Sequence, residues 1–153
     1  VSTTEAEARA AVRSLLPDSA FAFRLYWQGD EAPTLPDTPA PFAYIVFNNE
    51  GSGRNGPTAY GGGRGHNLYR NRVLVEAFVL SPIGSEVGAD LASGRAEQIA
   101  ARLRSYGDDK ISVTNADVIF MGQGSQISVP GLGPVNNYQC AVAEISLTFD
   151  QVG

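Results

Sequence analysis

A chain of 153 residues, 43% apolar and with a formal net charge of -5, is sized for one domain that buries its own core. The acidic balance argues against holding duplex DNA through broad phosphate contacts, which needs a basic face. One cysteine, Cys140, and one histidine, His66, exclude an intrachain disulfide and a Cys/His-rich zinc site, and the lone thiol fits a reducing setting.

No apolar run approaches the roughly 20 residues that a membrane helix needs. The opening "VSTTEAEARA" lacks the basic and then apolar stretches of a signal peptide. Neither a membrane span nor a leader is expected, and Val1 is taken to follow an omitted initiator.

The segment "TEAEARAAVRSLLPD" reads as an amphipathic helix. Thr4 and Glu7 have capping-box spacing, Ala8, Ala11, Val12, Leu15 and Leu16 recur at helical spacing, and Pro17 stops the helix. In "AFAFRLYW", Phe21, Phe23, Leu25 and Trp27 alternate as on a strand. "APTLPDTPAP" cannot lie inside a sheet, because proline lacks a ladder donor, and it reads as an extended connection. "FAYIVFN" is a strand buried on both faces.

"GSGRNGPTAYGGGRG" follows, from Gly51 to Gly65. "NRVLVEAFVL" is the next strand, with Val73, Val75, Ala77 and Val79 on one face, and it is expected to pair with "FAYIVFN" as a hairpin with a long loop. "SPIGSEVG" is a turn region. "ADLASGRAEQIAARLRSYG" is a second helix with Leu91, Ala92, Ala96, Ile99 and Leu103 inward, ending in a left-handed cap at Gly107. "ADVIFMG" is a strand, "SQISVPGLGPVNN" a turn-rich return with room for a short edge strand, and "YQCAVAEISLTFD" the last strand. The reading is a single α+β domain over residues 1–153. It has a mixed, mainly antiparallel sheet, two helices packed on one face, and a long Gly-rich hairpin loop.

The Gly-rich stretch lacks the Lys-Ser or Lys-Thr pair of a phosphate loop, and no helix follows to receive a pyrophosphate. Its length is that of loops that are functional or disordered. It carries Arg54, Tyr60, Arg64 and His66, with Arg70 and Arg72 just beyond. This local basic cluster in an acidic chain, rich in residue types favoured at interfaces, reads as a partner-contact loop. Glycine has the most backbone entropy to lose, so residues 51–65 are expected to order only on a partner. His66 sits where catalytic geometry is hard to hold, and Cys140 alternates within a strand as a small buried side chain would. Asp90, Asp108, Asp109 and Asp117 form no metal or acid–base spacing. No catalytic residue, metal or cofactor is expected. Tyr26 and Trp27 close the first strand and are candidates for an oligomer contact.

The element order, carried by "RLYWQGDEAPTLPDTPAPFAYIVF", "NRVLVEAFVLSPIGSEVGADLASGRAEQIAARL" and "YQCAVAEISLTF", resembles the tail terminator (tail completion) proteins of long-tailed bacteriophages and gene transfer agents. The resemblance covers nearly the whole chain and is a pattern of elements without a catalytic signature. It implies a non-enzymatic virion protein, made in the bacterial cytoplasm. Such a protein forms a ring, typically a hexamer, on the head-proximal end of the tail tube. The ring stops tube polymerisation and presents the surface on which the head–tail connector docks. The implied partners are further copies of the chain, the tail tube protein and the connector, with DNA passing through the lumen without specific binding. An acidic lumen would repel phosphate and so not trap it. The alternatives are a connector or tube protein of related fold, or a small-ligand protein or enzyme using the Gly-rich loop as a lid.

Overall fold

Helix α1 (Glu5–Leu15) begins where its capping box says it should. The Thr4 hydroxyl accepts from the Glu7 N–H, and the Glu7 carboxylate accepts from the Thr4 N–H at 2.7 Å. The structure, a computed structural model, describes residues 2–49, 58–60, 63, 65–83, 88–123, 128–130, 132–134 and 137–152. After α1 come a 3-10 turn at Asp18–Ala20 and the strands β1 (Arg24–Trp27), β2 (Phe42–Asn49), β3 (Thr58–Tyr60) and β4 (Leu68–Pro82). Helix α2 (Gly88–Leu103) follows. The chain ends with β5 (Ser112–Gln123), β6 (Ser128–Val129), β7 (Gly133–Pro134) and β8 (Tyr138–Val152).

The main sheet runs in the order β1-β2-β4-β8-β5, with β3 also paired to β4. β1 and β2 are parallel and the other neighbours antiparallel. The expected α+β architecture, with a mixed and mainly antiparallel sheet, is therefore the observed one. β2 and β4 pair as expected, from Phe42 opposite Leu80 to Asn49 opposite Val73. β4 runs on past the end of β2, and there β3, from within the Gly-rich stretch, pairs with it.

The period of two along each strand divides the apolar side chains between two layers. On one face, Val73, Val75, Ala77 and Val79 of β4 and Ala141, Ala143, Ile145 and Leu147 of β8 pack with Ala8 and Val12 of α1 and Ala92, Ala96, Ile99 and Leu103 of α2. Both helices lie on that face. On the other, Tyr26, Phe42, Val46, Phe78, Leu80, Tyr138, Cys140 and Val142 form a smaller cluster, which Val129 and Leu132 of the β6–β7 hairpin help to close. Each large aliphatic side chain withdrawn from water in these layers contributes about 1.5–3 kcal/mol.

Three local expectations are corrected. β1 starts at Arg24, so Phe21 and Phe23 precede it. The 3-10 turn after Pro17 occupies the chain there, although both rings still reach the helix-side core. The left-handed residue after α2 is Ser105 (φ 60°), not Gly107, because the chain turns at once after Leu103 and the Tyr106 N–H donates to the Leu103 carbonyl. Gly107 instead bridges Ser112. The short strands of the turn-rich return pair with each other and not with the edge of the main sheet.

Tyr138 is 3% exposed, and among the described residues its hydroxyl has no hydrogen-bond partner. An unpaired buried hydroxyl costs stability, and its removal with the ring retained does not. Tyr138→Phe should therefore match or exceed the parent midpoint in urea. A loss above about 1 kcal/mol would show that the hydroxyl is satisfied in solution.

Candidate functional site

The two edges of the main sheet and the ground around them form the candidate site. At one edge, β1 pairs only with β2 among the described strands. An open groove of about 610 Å³ runs beside it, lined along β1 itself and walled by Arg13, Pro17, Phe21 and Phe23. Of its five lining charges, four are paired within the chain and the fifth is Asp18. Arg13 contacts Asp30, and Arg24 lies 2.7 Å from Glu31. The Asp30 carboxyl is held below its ordinary value by the hydrogen bond from Arg13. With two arginines against three carboxylates, the groove carries one net negative charge.

Tyr26 and Trp27, the candidate oligomer contacts, are 7% and 6% exposed and point to opposite faces of the sheet. The Trp27 ring stacks on Phe47 under the Arg13 guanidinium, and the Tyr26 ring meets Phe42 edge-on under Arg24. Both rings serve the chain's own core, so a contact here runs through the backbone of β1. Gly29 (φ +91°) holds the following turn, in which the Asp30 N–H donates to the Trp27 carbonyl.

β5 forms the opposite edge. Its first half is polar: Ser112, Thr114, Asn115 and Asp117. Arg104 donates from Nε and Nη2 to the Ala116 carbonyl, at 3.3 and 3.0 Å, and its other terminal nitrogen meets Glu97. The second half is different. Residues 118–123 carry no charge, and Ile119, Phe120 and Met121 are exposed by 47, 43 and 39%. The residues of "ADVIFMG" mark a strand but not this patch, because which strand lies at the edge is decided by the sheet order.

The partner-contact loop lies partly within the described residues. Arg54 and Arg64 lie outside the described residues, as does most of the stretch from Gly51 to Gly65 whose ordering was expected to need a partner; Tyr60 lies in β3. His66 is exposed in a turn and donates its backbone N–H to the Gly63 carbonyl. Arg70 and Arg72 stand on β4, and Arg70 makes a two-pronged ion pair with Asp150. Arg70 is therefore already engaged by a carboxylate of its own chain.

Cys140 is fully buried, and burial pushes its thiol up to about 12. A thiol held that high is almost wholly protonated at neutral pH and is a poor nucleophile. Among the described residues no cluster of His, Cys, Asp or Glu is arranged to hold a metal, and no helix is long and apolar enough to cross a membrane.

The carboxylates with perturbed protonation do structural work. The Asp108 side chain accepts from the Ile111 and Lys110 N–H groups, each at 2.8 Å, and from the Tyr106 hydroxyl, which holds its carboxyl below the ordinary value. Glu7, Asp30 and Glu97 are lowered likewise by their hydrogen bonds. Groups lowered on folding stabilise the fold above their unfolded values, about pH 4, and that contribution is lost as pH falls through the folded values. Stability should thus be flat near neutrality and fall below about pH 4. Urea midpoints measured across pH check this, and Asp108→Asn should show a shallower fall than the parent.

No protein-family model matches the chain, and no curated protein is similar to it.

Proposed function

We propose that the chain is a structural ring-forming protein that caps the head-proximal end of a phage-type tail tube, stops its growth and offers the surface to which the head docks. One observation carries this reading best. Among the described strands the sheet has two unlike unpaired edges, an uncharged apolar stretch on β5 and a groove along β1. Unlike edges suit a head-to-tail association, which closes into a ring when the rotation permits and otherwise grows as a filament. The acidic net charge fits a lumen that lets DNA pass, and the thiol and histidine show no catalytic arrangement among the described residues. The Gly-rich stretch would serve as the contact to the tube or the connector.

Native mass measurement tests the proposal. A single species of fixed copy number, six by resemblance, is the expected result. Open-ended fibres would favour the tube-protein alternative. A chain that stays monomeric, even with tail tubes present, contradicts the ring. A monomer stabilised by several degrees with nucleotides would revive the lid reading, since a ligand bound to the native state raises its stability.

A further inference from the structure

We propose that the ring interface is a continued sheet: residues 118–121 of one copy pair antiparallel with β1 of the next, with Phe120 opposite Leu25. This rests on the ring reading and assigns the surfaces that make it. An edge strand that is long, apolar and uncharged is a template for pairing with another chain, and proteins ordinarily blunt such edges. Here Arg104 blunts β5 only as far as Ala116. Beyond it no described strand pairs with the edge, and Ile119, Phe120 and Met121 are exposed.

Strand direction selects the antiparallel arrangement. β1 and β2 run one way, β4 the other, β8 with β2, and β5 against β8. β5 therefore runs opposite to β1. A rotation about an axis along the strands preserves direction, so β5 of one copy meets β1 of the next antiparallel. All copies then carry their helices on the same side of the continued sheet.

The backbone groups select the register. Successive residues of a strand turn their N–H and C=O to opposite edges. The Gln28 N–H donates to Ile45 of β2 at 2.9 Å, so Gln28 and, two and four residues back, Tyr26 and Arg24 turn toward β2. Leu25 and Trp27 turn outward into the groove, and the Trp27 carbonyl is taken by Asp30. On β5 the Ala116 carbonyl turns outward to Arg104, and by the same alternation so do Val118 and Phe120. Leu25 and Phe120 can then exchange both backbone hydrogen bonds as a directly opposed pair.

The side chains agree with this register. Leu25 and Val118 belong to the helix-side layer, and Phe120, two residues on from Val118, shares its side. Met121, beside Cys140 of the opposite layer, falls across from Arg24. The incoming segment has no charge, so it meets the paired Arg13–Asp30 and Arg24–Glu31 and the single extra carboxylate of Asp18 without a like-charge clash.

Cysteine cross-linking of the assembled protein tests the register. Arg24 and Met121 face each other next to that pair, at the bulge that β5 carries between Phe120 and Gly122, and a disulfide spans Cα separations of about 4.4–6.8 Å. The variants are made with Cys140→Ala, because the Cys140 sulfur lies 3.9 Å from that of Met121. Arg24→Cys with Met121→Cys in one chain should give a covalent ladder ending at the ring on oxidation, and each single variant should give none. Phe120→Lys, at an exposed position, should fold with the parent's far-UV circular dichroism spectrum and weaken association about 30-fold or more. Rings without a ladder, unaffected by Phe120→Lys, would overturn this interface and leave the ring standing. Covalent dimers of the Met121→Cys variant alone would mean two-fold pairing of β5 with itself, against both interface and ring. A parent chain that associates under no condition removes the ring and the interface with it.

Discussion

Ile145→Ala should lower the stability of the chain by about 2–5 kcal/mol and its melting temperature by about 10 °C. Ile145 is fully buried on β8, the strand between β4 and β5, opposite Val75 on one side and Ala116 on the other. Its side chain belongs to the layer that joins both helices to the sheet. Truncation forfeits the transfer energy of the lost carbons and leaves a cavity whose walls, two neighbouring strands, cannot collapse freely. Urea unfolding followed by far-UV circular dichroism measures the loss. A change below 1 kcal/mol would mean that the helix-side layer is not packed as described.

Ala96→Leu is the second large effect, expected at about 3 kcal/mol in the destabilising direction. Ala92, Ala96 and Ala100 of α2 are fully buried, and so are Ala77, Ala141 and Ala143 in the sheet. Small side chains on both surfaces let the helix lie close to the strands. A leucine at Ala96 must push α2 away from the sheet or force its neighbours off their rotamers, since a filled core has no room to absorb it. The helix is also held by Arg95, whose Nη1 donates to the buried Ser81 hydroxyl at 2.7 Å. The same urea experiment serves, and an unchanged midpoint would place Ala96 at a looser contact than its burial indicates.

Much of this architecture is legible in the residues because its signals are local. Thr4 and Glu7 mark the start of α1 by spacing alone. The alternation in β8 and the near-continuous apolar run of β2 report how many of their faces are buried. The parallel pairing of β1 with β2 has no such signal. It follows from the crossover through residues 28–41, whose prolines had read merely as a connection. β3, β6 and β7 have two or three residues each, too few for a period to register.

The candidate site was harder to read for the same reason. Tyr26 and Trp27 were found as a pair, but their rings turn into the core, and what is open is the backbone edge beside them. The groove joins α1, the 3-10 turn and the loop after β1, which only folding brings together. Ile119, Phe120 and Met121 read as ordinary strand residues until the order of the sheet leaves them at its margin. Arg70 looked like part of a basic loop, and its partner Asp150 is contributed by the other end of the chain.

Growth of tail tubes in the presence of the purified chain tests the central claim most directly. Tube protein from the same particle is allowed to polymerise with and without this chain, and tube lengths and ends are read by electron microscopy. The account predicts that elongation stops on addition and that a ring of density of one size sits at one end of each tube. Tubes that lengthen as before with bare ends, or that incorporate the chain along their length, would contradict it.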